Sequence, residues 1–120
     1  MIKMIVMVIF AIKLVCVASV CVTPASGTSG KCSDLESTAD MFVVHVDKKL
    51  TPGGGLEHLS TENFSFIGLC AVACDSNWDC LMFDYNCLTG DCVQYYYTDT
   101  KANALNQLVT QNGHTSGSYP

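Results

Sequence analysis

Five cysteines, Cys70, Cys74, Cys80, Cys87 and Cys92, fall within one short stretch, CAVACDSNWDCLMFDYNCLTGDC. A span so dense in thiols is constrained first by cross-linking and only then by local propensity. Cys70 and Cys74 are four residues apart, so on a helix they leave the same face side by side and reach different strands rather than each other. Leu81, Phe83 and Tyr85 alternate with Met82 and Asp84, the pattern of a half-buried strand. Thr89-Gly90-Asp91 is turn material, and Val93, Tyr95 and Tyr97 alternate again. These spacings predict a helix cross-linked onto a hairpin whose strands cover Cys80–Asn86 and Cys92–Thr98.

The remaining thiols belong to a compartment argument. Residues 1–19 open MIKMIVMVIFAIKLVCVAS, with an early lysine, an apolar run and small residues at its end. This reads as a secretory signal peptide, with cleavage between residues 18 and 25. The competing reading, a retained anchor, places Lys13 in the membrane at a cost of roughly 2.5–3.5 kcal/mol. Beyond the leader, four lysines face eleven carboxylates, a balance of −7, and there is no arginine. Nucleic acid and anionic lipid both need clustered basic residues, so neither is an expected partner. Cleavage beyond Cys21 leaves six cysteines, Cys32 and the five of the stretch; cleavage before it leaves Cys21 as a seventh thiol. Six in a short secreted chain imply three disulfides, with fifteen connectivities open.

Along the chain, residues 23–40 read as a polar linker holding Cys32. Met41–Val46 is a β-branched run bounded by Asp40 and Asp47, hence a strand. Thr51-Pro52-Gly53-Gly54-Gly55 must be a loop. Leu56–Leu59 is at most a weak edge strand. Ser65 is the expected N-cap of the helix, which Gly68 weakens by about 1 kcal/mol relative to alanine. Residues 101–120 read as a partly loose C-terminal extension: with few aliphatics they could give one late strand or short helix, and their end, HTSGSYP, looks loose.

The pattern Cys70-x3-Cys74-x5-Cys80-x2-Phe83-x-Tyr85-Asn86-x2-Thr89-Gly90-x-Cys92 resembles the PAN/apple domain family. The resemblance covers residues 64–97 well and 31–63 thinly. It implies an α+β fold over residues 31–100: a small antiparallel β-sheet with one packed α-helix, stapled by disulfides. It further implies nested pairing, Cys74–Cys80 inside Cys70–Cys92, with Cys32–Cys87 as the third bridge. Such domains bind proteins or carbohydrates outside the cell and do no chemistry themselves.

The candidate functional residues are few. Trp78, Tyr95, Tyr96 and Tyr97 are large amphipathic rings of the kind that dominate binding hot spots. The competing account puts Tyr95 in the core and Trp78 over the helix end. Asn63-Phe64-Ser65 is an N-glycosylation sequon. His45, His58 and His114 have no ligand spacing, and Asp75, Asp79, Asp84 and Asp91 read as a solvated acidic face rather than a metal site. No nucleophile motif or free cysteine beside a histidine points to catalysis. The sequence therefore predicts a secreted recognition module for an extracellular protein or glycan, with no cofactor, metal, nucleic acid or inserted membrane segment. The alternative is a small disulfide-rich effector, toxin-like, acting on a receptor.

Overall fold

A computed structural model describes Val15–Val17, Val20–Val22 and residues 27–120. The signal-peptide reading falls largely outside these residues. The six that are described there form two short antiparallel strands, β1 (Val15–Val17) and β2 (Val20–Val22), with Cys16 opposite Cys21. Among the described residues no helix is long and apolar enough to cross a membrane.

The rest of the chain is α+β, built on one five-stranded antiparallel sheet. A short helix α1 (Leu35–Ala39) precedes strands β3 (Val43–Leu50) and β4 (Leu56–Asn63). The main helix α2 (Ile67–Ser76) then leads into the hairpin of β5 (Met82–Asn86) and β6 (Asp91–Tyr97). A five-residue helix α3 (Lys101–Leu105) and an eleven-residue strand β7 (Leu108–Ser118) follow. The strand order is β3-β7-β5-β6-β4, so β3 and β4 are the edges.

Residues 101–120 form both a short helix and a late strand, and the end HTSGSYP, expected to be loose, belongs to the sheet through Ser118. β7 lies between β3 and β5, pairing Thr115 with Val46 and Tyr85, and Gly117 with Val44 and Phe83. Its small polar residues are what a central strand accepts where neighbours on both sides are bulky. Thr115, Ser116 and Ser118 are buried, and the Thr115 hydroxyl donates to the Gly27 carbonyl at 2.7 Å. α3 is capped by Thr100, whose Oγ1 accepts from the Asn103 N–H.

β5 corrects a second expectation. It is central, with Met82, Phe83, Asp84 and Tyr85 all buried, rather than half-buried. On one face Phe83 and Tyr85 pack beneath α2 with Phe42, Ile67 and Ala71. On the other, Met82 joins Leu50, Leu56, Tyr95 and Ala104, so α3 covers part of the second face.

Other boundaries shift for local reasons. β3 continues through Asp47 instead of stopping there. Asp47 has φ 55° at a bulge in the pairing with β7, and its Oδ1 accepts from the Gly27 and Gly113 N–H groups at 2.7 and 3.1 Å. β4 is an edge strand twice the expected length, paired along its whole run with β6. Phe66, not Ser65, is the N-cap of α2, and no side chain caps the helix. The helix is held by its cysteines instead.

Three disulfides staple these elements. Cys70–Cys92 ties α2 to β6, Cys74–Cys80 closes the loop after α2, and Cys32–Cys87 pins the segment before α1 to the end of the β5 hairpin arm. Their Cα–Cα distances are 5.6, 5.1 and 5.2 Å respectively. All six cysteines are buried, and among the described residues none is free.

Candidate functional site

The loop after α2 is short and tightly tied. The Asn77 N–H donates to the Cys74 carbonyl, the Cys80 N–H to the Asn77 carbonyl, and the Asp79 N–H to Asn77 Oδ1. Asn77 Nδ2 reaches Gln94 Oε1 on β6 at 3.2 Å, and the Cys74–Cys80 bridge closes the loop covalently. The backbone of the loop is engaged inward, while the Trp78 and Asp79 side chains point out. Trp78 is 99% exposed. It does not cover the helix end, as the competing account required. An indole held fully in water on a braced loop contributes nothing to the core.

Beside it, β6 supplies Tyr96 and Tyr97, the edge strand β4 supplies Leu59, and Asp79 and Leu81 complete an open groove of about 490 Å³. Tyr96 also borders a second hollow along β4, about 560 Å³, with Glu57 and His58. The Tyr96 hydroxyl donates to Glu57, and this bond and the nearby charge raise its pKa, keeping the phenol a neutral donor. The groove therefore offers aromatic faces beside one carboxylate, Asp79, with Glu57 bonded to Tyr96 in the adjoining hollow and no lysine among its lining residues.

Of the four aromatics singled out in the sequence, Trp78, Tyr96 and Tyr97 converge here and Tyr95 does not. Tyr95 is 4% exposed in the cluster of Leu50 and Leu56, and its hydroxyl is directed at the Leu50 carbonyl at 3.4 Å. Burial pushes its phenol up to about 12. Strand alternation separates Tyr95, on the side that α3 covers, from Tyr96; Tyr97 shares Tyr95's face, packs partly against the same cluster and reaches the groove from the end of β6. Asn63 ends β4 at the β5–β6 turn, where its Nδ2 donates to the Thr89 carbonyl at 2.9 Å and to Asp91 Oδ1 at 3.2 Å. The sequon amide is exposed yet engaged.

A polar cluster that the sequence reading missed lies on the sheet face away from α2. Asp84, taken for part of a solvated acidic face, is buried at the centre of β5. Both its oxygens lie 3.2 Å from His114 Nδ1 on β7, and its Oδ1 lies 3.2 Å from Ser116 Oγ. Ser116 Oγ also lies 2.8 Å from the Lys48 carbonyl. A hydroxyl has one hydrogen, and the shorter contact claims it. Ser116 therefore donates to Asp84 only by releasing the Lys48 carbonyl. Burial raises the Asp84 carboxyl to about 6, against smaller opposing effects of His114, Ser116 and Lys49. No spacing rule finds this cluster, because it needs the pairing of β5 with β7. Among the described residues no three His, Cys, Asp or Glu side chains are grouped so as to hold a metal ion.

The sign of the pH effect follows. Between about pH 4 and 6 the native state holds an Asp84 proton that the unfolded chain has released, so stability falls as pH rises through that window. Above it the full cost, on the order of 2–3 kcal/mol, is present. Asp84→Asn reproduces the protonated shape and is expected to gain on the order of 2 kcal/mol at about pH 7.5 and nothing at about pH 3.5. His45, whose pKa burial and Lys101 lower, acts with the opposite sign but is common to both proteins. Denaturant midpoints at the two pH values test this; a loss at the higher pH would mean that Asp84 serves the fold as an ionised partner of His114.

No protein-family model matches the chain, and no curated protein and no solved structure matches it.

Proposed function

We propose that this chain is a secreted extracellular recognition module of the PAN/apple type, binding a protein or carbohydrate ligand without catalysis in the groove of Trp78, Tyr96 and Tyr97. The observation that carries this reading is the exposure of Trp78 on a loop braced by a disulfide and by Asn77. Aromatic rings carried on a braced backbone beside carboxylates lower the ordering cost of binding to that of the side chains alone. Three disulfides in a chain of this size support an oxidising compartment. Glu57 and Asp79 at the rim disfavour polyanionic glycans and favour neutral sugars or basic protein segments.

Trp78 is the sole tryptophan, so its fluorescence reports groove occupancy directly. Titration with neutral, amino and acidic oligosaccharides and with basic peptides is expected to shift that emission for at least one of the first two classes or for the peptides. Trp78→Ala is expected to weaken capture of the same probe on a surface at least about tenfold. Its thermal midpoint should stay within about 3 °C, because the side chain packs on nothing. Unchanged capture by Trp78→Ala, or silence across all probes, would remove the groove as the binding site.

A further inference from the structure

The face of the sheet opposite α2 is only partly covered by α3. In the uncovered part lies a cavity of about 380 Å³, the size of a small-molecule site. Its charges are divided by the strand order. Lys49 comes from the edge strand β3, His114 from β7, Asp84 from β5 and Asp91 from β6. Lys49 thus stands on one wall and Asp91 on the other, with the His114–Asp84 pair between them. Lys49 lies two strands from Asp84 and four residues along β3 from His45, the residue level with Asp84 through Ser116, and its flexible stem carries the charge close enough to act on the Asp84 carboxyl. Leu50 and Val93 supply apolar wall.

The floor is built, not incidental. The Asp84 side chain is 3% exposed and that of His114 is 15% exposed. Placing a carboxyl group there costs stability, and its hydrogen bonds to His114 and Ser116 hold it in one orientation. Groups that burden a fold yet face a cavity are the usual mark of a site. We propose that this cavity binds a small zwitterion on a short aliphatic skeleton, such as a free α-amino acid with an apolar side chain. The ammonium group sits between Asp84 and Asp91, the carboxylate meets Lys49, and the side chain lies along Leu50 and Val93. This site is separate from the aromatic groove and stands whether or not that groove binds a ligand.

Calorimetric titration of the oxidised, folded protein with L-leucine, isoamylamine and isovalerate tests the division of charge, since each of the latter two lacks one of leucine's charges. Leucine is expected to bind about tenfold more tightly than either. Lys49→Met should weaken leucine about tenfold while leaving isoamylamine unchanged. Asp84→Asn, which keeps the hydrogen-bonded shape, should weaken both leucine and isoamylamine. Binding should leave Trp78 emission unchanged. Leucine binding no more tightly than both single-charge probes overturns the proposal, as does leucine affinity that survives both substitutions.

Discussion

Gly117→Ala is expected to cost about 3 kcal/mol or more, a large share of the roughly 5–15 kcal/mol that holds a domain of this size together. The residue sits on β7 opposite Phe83, and a Cβ there would lie 2.3 Å from Phe83 Cε1 and 2.5 Å from Cζ. Carbon atoms do not approach so closely, so the ring must move. It has nowhere to go. Phe83 is fully buried and meets Phe42 edge-on at 5.0 Å between centroids, while Phe42 also packs on Tyr119. The backbone at Gly117 is ordinary, so the effect is one of volume alone and is open to rescue. Phe83→Leu in the same chain should recover part of the loss, making the double variant more stable than the two single losses add to. Urea midpoints under non-reducing conditions measure both. Simple additivity would show that the ring over Gly117 is not the obstacle.

Replacing Cys32 and Cys87 together by alanine is expected to cost about 4 kcal/mol, whereas removing Cys74 and Cys80 should cost about 2. The difference arises in the unfolded chain. The first bridge spans 55 residues and the second only 6, so the first withdraws far more freedom from the unfolded chain. The long bridge also anchors local contacts, since the Lys31 N–H donates to the Cys87 carbonyl and the Cys87 N–H to that of Gly113. The two double variants should separate clearly in guanidinium melts. Equal losses would place the effect of both bridges in the native state instead.

The knot was legible because its information is local. Cys70 and Cys74 at helical spacing, the alternation through Phe83 and Tyr85, and the Thr89-Gly90 turn each state their geometry within a few residues. Trp78, Tyr96 and Tyr97 stood out by residue type, while their meeting in the groove depends on the loop after α2 being tied to β6 through Asn77 and Gln94. What was not legible depends on β7. Its residues Thr115 to Ser118 are small and mostly polar, and nothing local marks them as the inside of a sheet. They are buried because Phe83, Tyr85 and Val44 lie beside them. With that strand unplaced, β5 read as half-exposed and Asp84 as solvated, so the cluster with His114 and the cavity above it could not be foreseen. Asp47 followed the same logic: an acidic residue that ends a strand by propensity is kept inside one by two distant backbone donors.

The position of β7 also sets an order of assembly. It is the last strand in sequence but lies between β3 and β5, whereas all three disulfides close between Cys32 and Cys92. Oxidation of the knot therefore needs nothing from residues 108–118. A cross-linked intermediate can form with β3 and β5 standing apart, each presenting an unpaired backbone edge to the slot between them. Completion is then an insertion, and any extended segment of another chain that reaches the slot first competes with β7 for it. The route that protects the product from unfolding is the same one that exposes its precursor to strand exchange.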